Sequence, residues 1–301
     1  MAIERARLQV VRKPWGNTDL RPWNVHHHDG DAIGELWFQR ADDDAPEPVL
    51  LLKLLFTTSP LSIQVHPDDA FARSIGLPHG KTEAWYVVSA MPGAKVAVGL
   101  ERQLTAPQLQ AAIEDGSIAD LVQWRDVLKD DFISVPAGTI HSIGAGLVIA
   151  EIQQRSDATF RLYDYGRKRE LHVANAVAAA QAGPPEIQSA RSRVTAERTL
   201  LVASPHFVVE RIDLLPNSNW EFVAELETWL LTLEGEARVG LLSTSLGEAI
   251  FLKADHAGMS VGSAGLKGLL AYAGSELNPN LLRYRAALNS GSPVRPTEAR
   301  A

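Results

Sequence analysis

The sequence predicts a mainly β chain built in two β-rich halves, and three observations carry that prediction. Apolar runs of strand length recur throughout, as in residues 33–40 (IGELWFQR) and 49–57 (VLLLKLLFT), with turn-forming residues between them. Helical periodicity is confined to brief stretches, at residues 105–124 and 174–182. A Gly183-Pro184-Pro185 break separates a first half that holds the chemistry-bearing motifs from a second that is again β-rich. The expected organisation is a domain of residues 1–183 with a small helical insertion at about 104–130, a smaller β domain of residues 184–288, and a disordered tail at 289–301.

In chain order, residues 8–11 read as a short strand and Lys13-Pro14-Trp15-Gly16 as a turn. The polar stretch to Asp31 contains His26-His27-His28; three consecutive imidazoles cannot all face one site, so this run reads as solvated surface. Residues 33–40 and 49–57 are strands with turn chemistry between them. Lys53 interrupts the second run, either snorkelling at an edge or aimed into a site. Residues 62–66 form a further strand, after which Asp68 and Asp69 cap the short segment AFARSIG, and residues 84–88 run beside that strand.

Thr105 caps a helix with Pro107 in its first turn and Leu109 and Ile113 on one face; Ser117 opens a second with Leu121, Val122 and Trp124. The β pattern returns at residues 132–135, 146–153 and 158–164, followed by the Ala-rich helix at 174–182. Beyond the Gly-Pro-Pro break, residues 199–214, 228–239 and 250–261 read as β, with Glu234-Gly235-Glu236 as a hairpin turn and His206 and His256 as structural or surface residues.

Composition narrows the function. At 301 residues, 46% hydrophobic and 22% charged, the chain is that of a soluble globular protein with a sizeable core. A formal charge of -7 argues against nucleic acid or an anionic membrane as the partner, so an anionic small molecule needs a local basic pocket. No stretch is long and apolar enough to span a bilayer and the N-terminus lacks a signal-peptide core, so the expected location is cytoplasmic. With no Cys, any metal must sit on nitrogen and oxygen ligands. A monomer and a homodimer fit equally.

Residues 61–83 (LSIQVHPDDAFARSIGLPHGKTE) offer such ligands at both ends. Gln64 and His66 are two apart, so on a strand both point to one face. Glu83 can return to that face, and VPAGTIHSIG supplies His141 after a Pro136/Gly138 turn. Open coordination positions beside such a set mark a catalytic metal site. Taken singly, His66 is a packed histidine and Glu83 a solvated carboxylate; together they read as ligands. Lys81 with Gly80 and Thr82 is no phosphate loop, because Gly76 stands four residues before Gly80 where that loop needs five. Arg167-Lys168-Arg169 reads as a solvated face, and Trp15, Trp37 and Trp85 as core or pocket wall.

The PAGTIH sequence has the Pro-x-Gly-x-x-His form of the second metal motif of cupins, small β-sandwich barrels. With IQVHPD (63–68), GKTE (80–83) and QRSDATFR (154–161), it resembles the type I mannose-6-phosphate isomerases in their short bacterial form, from Lys13-Pro14-Trp15-Gly16 to Arg161, and only loosely over the last hundred residues. The resemblance implies a cupin-type catalytic sandwich followed by a metal-free β domain, with one zinc ion per chain on Gln64, His66, Glu83 and His141. It further implies Arg161, Glu151 and Lys81 as catalytic residues, Glu151 being a candidate base, and Lys53, Ser62 and Arg161 as substrate contacts. The implied reaction interconverts mannose 6-phosphate and fructose 6-phosphate through an enediolate. A redox-inert divalent Lewis acid, a carboxylate base and cations for the phosphate are what that chemistry asks for. The rival expectations are an iron-dependent cupin oxygenase on the same ligands and a non-catalytic sugar-phosphate sensor.

Overall fold

The computed structural model describes residues 2–23, 30–185 and 191–285, so the His26-His27-His28 run and the tail from Asn289 lie outside the described residues. The strands of the first half are β1 (Ala2–Arg5), β2 (Arg7–Asn17), β3 (Ile33–Gln39), β4 (Leu50–Phe56), β5 (Ile63–Val65), β6 (Glu83–Ala90), β7 (Lys95–Leu100), β8 (Val122–Asp126), β9 (Phe132–Val135), β10 (His141–Ile143), β11 (Leu147–Gln154) and β12 (Phe160–Tyr163). Helices α1 (Asp69–Ser74), α2 (Ala106–Glu114) and α3 (Val173–Ala179) are interleaved. The second half contributes β13 (Ser192–Arg193), β14 (Arg198–Ala203), β15 (Phe207–Leu214), β16 (Asn219–Ala224), β17 (Thr228–Val239), β18 (Leu242–Ser245), β19 (Ala249–Lys253), β20 (Asp255–Ala273) and β21 (Leu282–Arg285). The expected mainly β class is therefore what the chain adopts. No helix among the described residues is long and apolar enough to cross a membrane.

Three sheets are stacked, and strand alternation explains why. One sheet has the order β2-β3-β4-β11-β6-β9 and faces a second, β12-β5-β10-β7-β8. Because successive strand residues point to opposite faces, Leu50, Leu52, Leu54 and Phe56 of β4 lie on one side and Leu51, Lys53 and Leu55 on the other. The first set joins Leu36, Phe38, Ala84 and Tyr86 in a core shared with Phe207, Val209, Trp229 and Phe251 of the second half. Leu55, on the other side, packs with Trp85, Val96, Val98 and Ile143 between the two sheets of the first half. A strand apolar on both faces is thus a strand in a middle layer, and the second half exists in part to cover it. The far face of the second sheet is covered by α2 and α3 through Ile63, Val65, Leu109, Ile113, Phe160 and Ala176.

The third sheet contains β13 to β21 and also β1, whose Ala2 stands opposite Lys253. The first strand of the chain is therefore built into the sheet of the last hundred residues.

Several local expectations give way to pairing. Lys13 to Gly16 is not a turn: β2 runs on through it, paired irregularly with β3, with Trp15 and Gly16 buried. Ser117 opens only one turn of 3-10 helix (Ser117–Asp120), because Val122 to Asp126 pair with β7 as an edge strand. Residues 199–214 are two strands turning at Ser204, whose hydroxyl bonds the Phe207 backbone. Residues 250–261 are likewise two strands, divided at Ala254, which takes φ 49°. Gly235 marks a bulge inside β17 rather than a hairpin; it takes φ 76°, and a Cβ there would fall 1.9 Å from the Gly265 carbonyl oxygen. The helical segment after Thr105 forms with a full capping box, the Thr105 side chain and Gln108 each bonding the other's backbone.

Candidate metal centre

The second sheet aims three of the expected ligands. On β5, Ile63 and Val65 turn outward to the helices, so Gln64 turns inward. Arg161 of β12 and His141 of β10 stand directly opposite Gln64 on either side, one row across three strands. His66 follows β5, and its carbonyl accepts the Gly138 N–H at 2.8 Å, which fastens the Pro136–Gly138 turn beside it. Glu83 comes from the facing sheet: it opens β6, opposite Val135 and Gln153, so the expectation that its strand runs beside β5 is replaced by approach from across the sandwich.

Among the described residues, His66, Glu83 and His141 form a buried group whose ligand atoms all lie within 4.8 Å of one another. Glu83 Oε2 is 3.4 Å from His66 Nε2, and Oε1 is 3.4 Å from His141 Nε2. Each imidazole is held from behind. His66 Nδ1 is 2.7 Å from the Ala158 carbonyl oxygen, and His141 Nδ1 is 2.8 Å from that of Thr139. A carbonyl only accepts, so both Nδ1 atoms carry the proton and both Nε2 lone pairs face the centre. That is the arrangement in which imidazoles bind a cation, and the donor set of two nitrogens and a carboxylate suits a divalent metal. Gln64 Nε2 stands 3.3 Å from His141 Nε2, with its Oε1 accepting the Ser62 hydroxyl at 3.1 Å. A half-turn of the amide puts its oxygen on the same centre.

Electrostatics keep the group ready to bind a cation. Burial lowers His66 to about 3, aided by the Lys81 ammonium, and burial also lowers His141, so both imidazoles are neutral. Burial would raise Glu83, but the Lys81 ammonium beside it holds it well below the usual carboxylate range. Lys81 Nζ donates to Glu83 Oε2 at 2.8 Å and lies 3.0 Å from His66 Nε2. The Trp85 indole donates to Glu83 Oε1 at 3.0 Å.

A cleft of about 430 Å³ opens in front of this group, lined by Ser62, Gln64, Lys81, Glu151, Arg161 and Lys53 among others. Lys53 is thus aimed into the site rather than snorkelling at an edge: its ammonium lies 3.1 Å from Glu151 and 4.7 Å above the Trp37 ring. Burial, then Glu83, pushes Glu151 up despite Lys53 and Lys81. Asp68 caps α1, while Asp69 accepts from the Gly80 N–H and from Gln154, so both shape the approach to Lys81 rather than join the ligands. Gly80 is required there, since a Cβ would meet the Asp68 backbone at 2.5 Å.

Sequence reading missed Lys13, Glu35 and Arg169, all of which line the cleft, and placed the last on a solvated face. Glu35 bridges Lys13 at 3.5 Å and Lys53 at 3.8 Å, and accepts from the Trp37 indole. The available signal was a carboxylate two residues before Trp37 on a strand next to the one bearing Lys53, two opposite charges in otherwise apolar runs.

No family model matches the chain. It is 37% identical over 201 residues to the mannose-6-phosphate isomerase of Streptococcus mutans, covering 64% of this chain and 63% of that one. Over 162 residues it is 38% identical to mannose-6-phosphate isomerase ManA of Bacillus subtilis, covering 52% and 48%. The chain therefore spans less than two thirds of the length of these two relatives. It is 30% identical over 288 residues to the putative mannose-6-phosphate isomerase YvyI of Bacillus subtilis, covering 81% and 88%. Its fold superposes on the crystal structure of the mannose 6-phosphate isomerase from Bacillus subtilis with a TM-score of 0.78 at 25% identity, over 90% and 99% of the two chains.

Proposed function

Because the chain belongs to the mannose-6-phosphate isomerase family, we propose that it interconverts mannose 6-phosphate and fructose 6-phosphate with one zinc ion on Gln64, His66, Glu83 and His141. The observation that carries this reading is the pair of buried imidazoles with Nε2 facing one carboxylate at the back of a cation-lined cleft.

When bound, the ion would act as a redox-inert Lewis acid that polarises carbonyl and hydroxyl oxygens and stabilises developing negative charge by several kcal/mol, and zinc fills that role. The cleft's volume is within the range of small-molecule sites, and its lysines and arginines supply the positive pocket that a net charge of -7 otherwise denies an anionic substrate. Glu151, raised by burial, is the base that takes the proton from C2 of the open-chain aldose. The C–H electron pair becomes the C1–C2 double bond of the enediolate as the carbonyl pair moves onto O1; the O2 proton passes to O1, and the same carboxyl returns its proton to C1 as the C2 carbonyl forms. Lys53, 3.1 Å from Glu151, steadies that carboxylate, and Lys81 and Arg161 add positive charge to the same cleft. With the Gln64 amide turned, the Ser62 hydroxyl beside it would accept the amide N–H and so orient the oxygen.

The test is a coupled assay on the purified chain. Turnover of mannose 6-phosphate should vanish on chelation and return with zinc; metal analysis of the native protein showing iron, or binding without turnover, would instead support an oxygenase or a sensor.

A further inference from the structure

Two guanidinium groups of the cleft wall are prepared for an anion in different ways. Arg161 donates Nη1 to the Glu170 carbonyl at 2.7 Å, while its Nε is buried with no partner among the described residues. Arg169 lines the same cleft and is gripped from behind by Asp164, whose side chain is only 2% exposed: Arg169 Nε donates to Oδ2 at 2.7 Å and Nη2 to Oδ1. Such a two-point fork fixes the plane of a guanidinium and leaves its remaining edge free to point elsewhere. Arg167 is tied differently, with Nε on Asp164 at 3.0 Å and Nη2 on the Pro60 carbonyl at 2.8 Å, and it does not line the cleft.

The basic run therefore divides by function: one arginine braces the backbone before Ser62, the other faces the cleft. Burial, and after it the neighbouring Arg169 charge, lowers Arg161, the mark of two cations sharing a wall. Asp157 and Thr159 complete that wall. Two guanidinium groups lining one cleft, Arg161 with an unpartnered Nε and Arg169 with its plane fixed by Asp164, suit the oxygens of a dianionic phosphate, which accepts charge-assisted contacts from both.

We infer that Arg169, positioned by Asp164, is the second arm of a clamp that holds the substrate's phosphate monoester against Arg161. The inference rests on the sugar-phosphate reading given above. Its weight falls on binding, since the phosphate is remote from the C1–C2 bond where the proton moves.

Titration calorimetry with inorganic phosphate and with mannose 6-phosphate, alongside steady-state kinetics, tests it. Arg169→Gln should raise the phosphate Kd and the KM by about tenfold or more while kcat changes by less than about threefold, as expected for losing a charge-assisted contact made equally before and during reaction. Arg169→Lys should recover part of the affinity, Asp164→Asn should move KM in the same direction as Arg169→Gln, and Lys168→Gln, an exposed member of the same basic run that does not line the cleft, should leave both constants unchanged. Because Asp164 is buried and Asp164→Asn can disturb folding, the half-exposed Arg169 carries the decision. Unchanged phosphate affinity and KM in Arg169→Gln, an equal loss in Lys168→Gln, or no phosphate affinity in the unaltered chain would overturn the clamp. If the unaltered chain shows no isomerase turnover yet loses phosphate affinity selectively in Arg169→Gln, the clamp stands and the isomerase proposal falls.

Discussion

Lys53 and Glu151 stand directly opposite each other on neighbouring strands, with Nζ 3.1 Å from the carboxylate and both side chains 6% exposed. The same register row continues to Trp37 on one side and Trp85 on the other, so a charged pair is walled by two indoles. This environment sets the pH behaviour of the proposed base. Burial and Glu83 raise Glu151, while Lys53 and Lys81 oppose the rise. The base must be deprotonated, so kcat/KM should fall with acidification through a pKa above the ordinary glutamate value. Lys53→Met removes an opposing cation and should shift that acid limb to still higher pH. A pH–rate series on the two proteins checks this; a limb that stays in place would separate Lys53 from the base. Glu151→Gln should lower kcat by about 10²- to 10⁴-fold with metal content retained.

The ligand group makes a separate expectation. His66→Ala or His141→Ala removes an imidazole whose lone pair is fixed inward, and either should abolish the one-to-one metal content measured by plasma emission spectrometry. Retention of a full equivalent in both variants would place the metal elsewhere.

Trp85 tests the layer behind the proposed ligands. Its indole donates to Glu83 Oε1 at 3.0 Å and its ring meets His141 edge-on at 5.4 Å. Trp85→Phe keeps most of the packing and deletes the donor, so Glu83 loses an orienting bond. Metal affinity should drop by about 10- to 100-fold, as for other groups that orient metal ligands. Competition with a chromogenic chelator reads the change directly.

What the sequence reveals of this site follows the range of the contacts involved. Gln64 and His66 are legible because strand period 2 alone puts them on one face, and His141 because a Pro-Ala-Gly turn precedes it. That Glu83 joins the two histidines is legible but not its direction of approach, since nothing local says that β6 lies in the opposite sheet from β5. Glu35 and Arg169 escape notice because their partners, Lys13 and Lys53 for one and the cleft beside Arg161 for the other, are supplied by packing. The broad β class is written in the short apolar runs, whereas the pairing of Ala2 with Lys253 joins opposite ends of the chain and leaves no local trace.

The layered architecture also gives the second half an expected influence on the site. Glu227, just before β17, is 3% exposed and accepts the backbone N–H of Val49 at 2.8 Å and of Leu50 at 2.9 Å. It thereby holds the start of the strand that carries Lys53, from a half of the chain that offers none of the proposed metal ligands. Glu227→Gln can accept at only one of its two former oxygens, and its new NH2 group confronts a backbone N–H, leaving a buried donor unmet. Such a loss costs about 1–3 kcal/mol, which urea unfolding monitored by tryptophan fluorescence would detect as a lower midpoint. Metal content should persist, because β5, β6 and β10 are untouched. An unaltered midpoint would mean that the start of β4 is held by its sheet partners β3 and β11 alone.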